Sequence, residues 1–127
     1  VSAEAMHVIA DQLRVTPAHV YGVTTYYSDF RTTPPAQCTV AWCSGPACRL
    51  RNGIGIRDAM MATLDVGMGG QTADGRVGLM IGQCNGSCEQ APQIWVDERV
   101  VGHLTAAKAV LLARALRDGA DPETVGQ

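Results

Sequence analysis

The sequence predicts an α/β (α+β) fold: an N-terminal helical segment followed by a four-stranded mixed sheet with flanking helices. Three observations carry this expectation. Apolar residues recur at spacings of three and four near both ends of the chain. Short runs in the middle are rich in β-branched and apolar residues, and in places they alternate. Between these regions stand Pro34 and Pro35, which stop a helix and favour extended backbone.

Residues 2–13 read as a helix through Ala3, Met6, Ile9, Ala10 and Leu13, with Ser2 as its cap. A second helix over 16–27 begins at Thr16 and takes Pro17 in its first turn, where the missing N–H costs nothing. Residues 31–36 form a linker, so the chain divides near residue 34 into domains 1–33 and 34–127. Residues 37–42 form a strand. Residues 57–66 form a helix that starts a few positions earlier, and the glycine-rich 67–75 segment is a loop. Val77, Leu79 and Ile81 alternate within a strand over 76–83. Strands over 93–96 and 99–101 meet at Asp97-Glu98 in a hairpin. The clearest helix, 105–117, is capped by Thr105 and stopped at Gly119. After the first helices the order is β–α–β–loop–β–β–α, the connectivity of a thioredoxin-like layered sheet.

Composition narrows the function. The 127 residues are 46% hydrophobic and 17% charged, with a net charge of −2. A chain of this size buries roughly two-thirds of its unfolded surface and folds without disulfide staples. Nucleic-acid binding is not expected, because no basic excess is present. Direct membrane insertion is not expected either: the longest apolar stretch, 106–116, is broken by Lys108 and Arg114. No basic flank precedes an apolar stretch at the N-terminus, so no secretory signal is read there. The first residue is Val and not Met, which suggests a processed product or a piece of a longer polypeptide.

Cysteine is the informative excess. Cys43 and Cys48 enclose four residues, Cys84 and Cys88 enclose three, and Cys38 stands apart. The odd count and the chain length both argue against a disulfide framework. Two short pairs joined by a long segment mark a four-thiolate metal site. Tetrahedral zinc accepts such pairs, although zinc ribbons mostly use gaps of two. A two-iron, two-sulfide cluster is larger and tolerates longer gaps, so spacing leans toward the cluster without deciding between them. Four thiolates on an oxidised two-iron core leave a net dianion, which backbone N–H groups must offset. Gly45, Gly53, Gly55, Gly82 and Gly86 let the backbone come close enough to do so. Arg49 and Arg51 beside Cys48 either add positive charge or are ordinary solvated arginines.

These motifs resemble the thioredoxin-like [2Fe–2S] ferredoxins, and more closely the small iron–sulfur subunits of NADH:quinone oxidoreductase (complex I), NAD-dependent formate dehydrogenases and NAD-reducing hydrogenases. The likeness covers nearly the whole chain: the helical preface at 20–30, the 70–75 turn, the second cysteine loop at 84–92 with the strand after it, and His103-Leu104-Thr105 before the last helix. It departs at Asn85 and Ser87, where apolar or small residues are more common, and at Pro46, where a small hydroxyl residue is common. The resemblance implies that Cys43, Cys48, Cys84 and Cys88 hold one [2Fe–2S] cluster. It also implies a partner subunit carrying FMN and binding NAD or NADH, with which this chain exchanges single electrons. A cis Pro92 is the family's pattern, whereas trans is the general expectation for an X–Pro bond.

The remaining residues read as structural. Cys38 is expected in the core. His7, His19 and His103 are isolated from one another and from the cysteines. Tyr21, Tyr26, Tyr27 and Phe30 form either a core-facing helix stripe or an anchor for a partner subunit. Trp42 either shields a cluster or packs in the core. Paired carboxylates, a phosphate loop, a nucleophile elbow and a two-residue Cys gap are all absent, so no catalytic residue is expected. The expectation is an electron-transfer subunit, not catalytic alone, in the cytoplasm, with attachment to a membrane-associated complex left open. The competing reading is a zinc-bound or metal-free interaction module with no redox role.

Overall fold

The computed structural model of the chain describes residues 1–27 and 29–125. Ser28, inside the helical preface, and Gly126 and Gln127, at the end of the expected 34–127 domain, lie outside the described residues. Two compact units are present, Val1–Pro35 and Ala36–Gln127.

The first unit is a pair of helices, α1 (Ala3–Leu13) and α2 (Pro17–Tyr26). Each begins on the side chain that the sequence nominates. Ser2 Oγ accepts from the Ala5 N–H at 3.2 Å, and Thr16 Oγ1 accepts from the His19 N–H at 3.3 Å. Arg14 adopts a left-handed conformation, φ 55°, and ends α1. Met6, Ala10 and Val20 form the small core of this unit.

The second unit is built on one mixed sheet in the order β2-β1-β3-β4. Its strands are β1 (Cys38–Cys43), β2 (Val77–Gly82), β3 (Ile94–Val96) and β4 (Arg99–Val101). β1 runs parallel to β2 and antiparallel to β3, and β4 returns antiparallel beside β3. Helices α3 (Pro46–Leu50) and α4 (Gly53–Leu64) cross from β1 to β2, and α5 (Ala106–Arg117) closes the unit. The expected mixed α/β class and four strands are therefore present.

Period-two alternation sorts β1. Cys38, Val40 and Trp42 enter the main core, while Cys43 belongs to a separate small cluster. Ile56, Met60 and Leu64 of α4 and Ala109, Leu112, Ala113 and Leu116 of α5 complete the main core with Val77, Leu79, Ile94 and Val96. Helical spacing brings each of these sets to one face. Burying a side chain such as Ile56 or Ile94 contributes about 1.5–3 kcal/mol.

Thr105 Oγ1 accepts from the Lys108 N–H at 3.2 Å and caps α5. Thr105→Ala is expected to cost about 1 kcal/mol, read as a lower urea midpoint with an unchanged m-value.

Three local expectations need correction. The first cysteine gap holds a helix that the sequence does not predict: Gly45 caps and Pro46 starts α3, which carries Cys48. A single 3₁₀ turn covers Cys88–Gln90, where the sequence predicts no element. The Ala91–Pro92 peptide is cis, as the family resemblance implies and against the general trans expectation. α4 begins at Gly53, a few positions before residue 57 as the sequence predicts, but ends at Leu64, and β1 includes Cys43. Among the described residues no helix is long and apolar enough to cross a membrane.

Candidate metal centre

The parallel pairing of β1 and β2 creates the site. Their register sets Cys43 opposite Gly82, so the residues following both strands emerge at the same end of the sheet. Ser44 fastens that end, donating from its N–H (3.2 Å) and from its hydroxyl (2.9 Å) to the Gly82 carbonyl. α3 then turns Cys48 back toward Cys43, and the loop after β2 brings Cys84 and Cys88 alongside.

All four sulfurs meet. Cys43 packs against Cys48, the Cys43 and Cys84 sulfurs flank the same point beside Gly45, 3.4 and 3.6 Å from where its Cβ would stand, and the Cys84 and Cys88 sulfurs are 3.5 Å apart. Two thiolates on one tetrahedral metal, each bonded at about 2.3 Å, lie at a similar separation. None of the five cysteines is in a disulfide. Among the described residues, no three His, Cys, Asp or Glu side chains are arranged to hold a single metal ion.

The pairs differ in environment. Cys43 is 0% exposed and Cys48 2%, packed with Ala91, Ala47 and Trp95, whereas Cys84 and Cys88 are exposed. Burial pushes the Cys48 thiol up to about 11, while a hydrogen bond from the Gln93 main-chain N–H opposes that rise. The Gly86 N–H, 3.4 Å from the Cys84 sulfur, and the neighbouring Cys88 thiol hold Cys84 below the ordinary thiol value. The adjacent Cys84 sulfur pushes Cys88 up.

Glycine has a spatial reason at four of the five positions singled out: a Cβ on Gly53 would lie 2.7 Å from the Cys48 carbonyl oxygen, one on Gly55 2.5 Å from Asn52 Oδ1, and the other two, Gly45 and Gly82, are as crowded. A Cβ on Gly45 would lie 3.1 Å from Cys84 Cβ and 3.4 Å from Cys43 Sγ. A Cβ on Gly82 would lie 1.9 Å from Trp95 Cζ3. Gly86 has φ +87°, the left-handed region that favours glycine. The donor set is thus four thiols in a cradle that a side chain at position 45 would fill, and it fits an iron–sulfur cluster.

Cys38 lies away from this group, in the main core. Burial, and then the nearby Asp97 carboxylate, push its thiol up to about 11. A raised thiol keeps its proton at neutral pH and is a poor nucleophile. Cys38 is therefore expected to resist iodoacetamide in the folded chain at pH 8 and to react once the chain is unfolded. Peptide mapping by mass spectrometry checks this, and rapid labelling of the folded protein would contradict it.

Trp42 is a core residue. Its Nε1–H donates to the Gly53 carbonyl at 2.7 Å, and the Arg57 guanidinium lies 5.4 Å from its ring centroid. The tryptophan against the cysteines is Trp95, which the sequence does not single out. Arg51 donates to the Ala91 carbonyl at 3.4 Å, and Arg49 is exposed. Gln93, legible in the sequence only as the start of a strand, reaches the second cysteine loop at Asn85. A polar residue opening the apolar Ile94-Trp95-Val96 run is the one signal that could have found it.

The sheet, its helical layer and the thiol quartet define a thioredoxin-like α/β protein with four free cysteines gathered at one end of its sheet. The profile described as "Thioredoxin-like [2Fe-2S] ferredoxin" matches residues 1–117. The chain belongs to this family, whose cofactor is a [2Fe–2S] cluster. Among its relatives, an NADH-quinone oxidoreductase subunit of Escherichia coli (strain K12) is 34% identical over 101 residues, covering 80% of this chain and 61% of that protein. The NADP-reducing hydrogenase subunit HndA of Solidesulfovibrio fructosivorans is 32% identical over 102 residues, covering 80% of this chain and 60% of that one. The chain thus spans about three-fifths of the length of these curated relatives.

Solved structures share the fold. A chain of an NAD+-reducing [NiFe]-hydrogenase in the H2-reduced state superposes with TM-score 0.79 at 20% identity, covering 96% of this chain and 21% of that one. A thioredoxin-like [2Fe–2S] ferredoxin from Aquifex aeolicus gives TM-score 0.53 at 14% identity, covering 71% of this chain and 89% of that one.

Proposed function

We propose that the chain is an electron-transfer subunit in which Cys43, Cys48, Cys84 and Cys88 hold one [2Fe–2S] cluster, and that it exchanges single electrons with the flavin of a partner NADH-oxidising or NAD-reducing subunit. The observation that carries this is the meeting of two free cysteine pairs at the shared end of β1 and β2. When bound, the cluster supplies one-electron storage, while a flavin on the partner converts a hydride into single electrons.

This chain's own residues bind and insulate. Cys43 and Cys48 hold from the buried side, under Ala91 and Trp95. Cys84 and Cys88 hold from the exposed side, which leaves a short path to a docked partner. The Gly86 N–H points at the Cys84 sulfur, where it favours the more negative, reduced form. The gaps of four and three residues, longer than the two that zinc ribbons mostly use, support a two-iron centre over a lone zinc ion.

Docking falls to exposed apolar residues. Leu50, two residues after Cys48, is 89% exposed. Tyr21, Tyr26, Tyr27 and Phe30 of the helical unit 1–33 are exposed as well, with edge-to-face ring contacts of 5.0 and 6.0 Å running from Tyr26 through Tyr27 to Phe30. Large exposed aromatics suit a subunit interface. The thiols need a reducing compartment, in keeping with the cytoplasm and with attachment there to a membrane-associated complex.

Iron and sulfide analysis of the purified chain, with its visible spectrum, is the test. Equal amounts of iron and acid-labile sulfide, in a red-brown protein that bleaches on reduction, are expected. A colourless zinc protein would establish the interaction-module reading instead.

A further inference from the structure

The side chain of Gln93 is 1% exposed, buried in a strand opening that is otherwise apolar. Its Nε2 donates to Asn85 Oδ1 at 2.9 Å. Its Oε1 has no hydrogen-bond partner among the described residues. A buried amide with one half unmet costs free energy, and an apolar side chain of similar length would avoid that cost. Core packing therefore does not explain a glutamine at this position.

Its contacts do. Gln93 stands two residues after Ala91, which packs against Cys43 and Cys48 of the first cysteine pair. Its side chain reaches the second loop at Asn85. Asn85 Oδ1 also accepts from the Ser87 N–H at 2.9 Å, an Asx turn that bends the chain between Cys84 and Cys88. Within that turn the Gly86 N–H lies 3.4 Å from the Cys84 sulfur. The path runs from Gln93 through Asn85 to an N–H that contacts an exposed thiol.

We propose that Gln93 is a positioning residue that joins the two cysteine loops, holding the second through Asn85 so that the Gly86 N–H stays aimed at the Cys84 sulfur and raises the potential of the centre. This rests on the reading of the four cysteines as cluster ligands. Gln93 touches no reacting atom with its side chain; it acts through Asn85. A hydrogen bond to a ligand sulfur favours the reduced state, so losing it lowers the potential.

The test compares the full chain with Gln93→Met, Asn85→Ala and the double variant, each assayed for iron and sulfide before redox titration followed by visible absorbance and by the EPR of the reduced form. Each single variant is expected to retain its cluster while its reduction equilibrium constant falls threefold to tenfold, about 30–60 mV for a one-electron couple. The double variant is expected to fall no further than the larger single, because both changes break one link. The EPR anisotropy is expected to change alike in both singles. Asn85 is exposed, so its variant tests the link even where Gln93→Met folds poorly. A wild-type chain without iron and sulfide overturns the cluster reading and this inference with it. A wild-type chain with the cluster, but with shifts below twofold or fully additive, overturns the role of Gln93 alone.

Discussion

Cys43→Ser is expected to abolish the cluster. Cys43 ends β1, is fully buried, packs against Cys48 and lies with the Cys84 sulfur against Gly45, so it is the hinge of the quartet. Serine keeps the shape but replaces a soft thiolate with a hydroxyl, a poor ligand for iron. The new hydroxyl is also buried beside Ala91 and Trp95, which costs about 1–3 kcal/mol where it finds no partner. Iron per chain should fall to near zero, with a lower urea midpoint for the cluster-free protein. Cys84→Ser and Cys88→Ser separate ligation from folding. Both residues are exposed, so cluster loss should come with little change in the stability of the bare chain. Cys48→Ser should behave like Cys43→Ser. Cys38→Ser should leave the visible spectrum intact, since Cys38 belongs to the main core. Unchanged cluster content in all four ligand variants would refute the assignment.

Gly82→Ala has the next largest expected effect. The added Cβ would stand 1.9 Å from Trp95 Cζ3 and 2.6 Å from Cε3, well inside contact distance. Trp95 is held in β3 by pairing with Ala41 of β1 and Val100 of β4, so the ring, and not the strand, must give way. The same ring packs on the cluster of Cys43, Cys48 and Ala91. A single methyl group here should therefore destabilise the chain by about 1–3 kcal/mol or more. It should also shift tryptophan emission and speed loss of iron on exposure to a chelator. Trp95→Leu in the same chain should recover part of the stability, a non-additivity typical of touching residues. A Gly82→Ala variant with wild-type stability and emission would mean that Trp95 does not lie over Gly82.

Local signals made much of the fold legible. Ser2, Thr16 and Thr105 cap the helices that the sequence assigns to them, because a cap depends only on a side chain and the N–H three residues on. The Asp97-Glu98 turn joins β3 to β4 with Val96 paired to Arg99, since a two-residue connection leaves little choice of register. α3 was not legible. Five residues opening on Gly45-Pro46 look like a turn, and so short a helix owes its stability to packing and not to propensity. The tryptophans were ambiguous for a related reason. Strand alternation sends Trp42 to the face that α4 covers and leaves Trp95 against the cysteines, which neither neighbouring sequence reveals.

By itself the sequence determined that two cysteine pairs exist, that each follows or closes an apolar strand, and that glycines let backbone approach them. Those properties reside in a few adjacent residues. Only the tertiary structure decided that the pairs meet, because the parallel register of Cys43 with Gly82 joins positions far apart in the chain. It also decided that one pair is buried and the other exposed, and that Gln93, next to the segment packed on the first pair, reaches the second loop at Asn85. Burial and long-range hydrogen bonds depend on what folds alongside a residue, and spacing along the chain does not encode that.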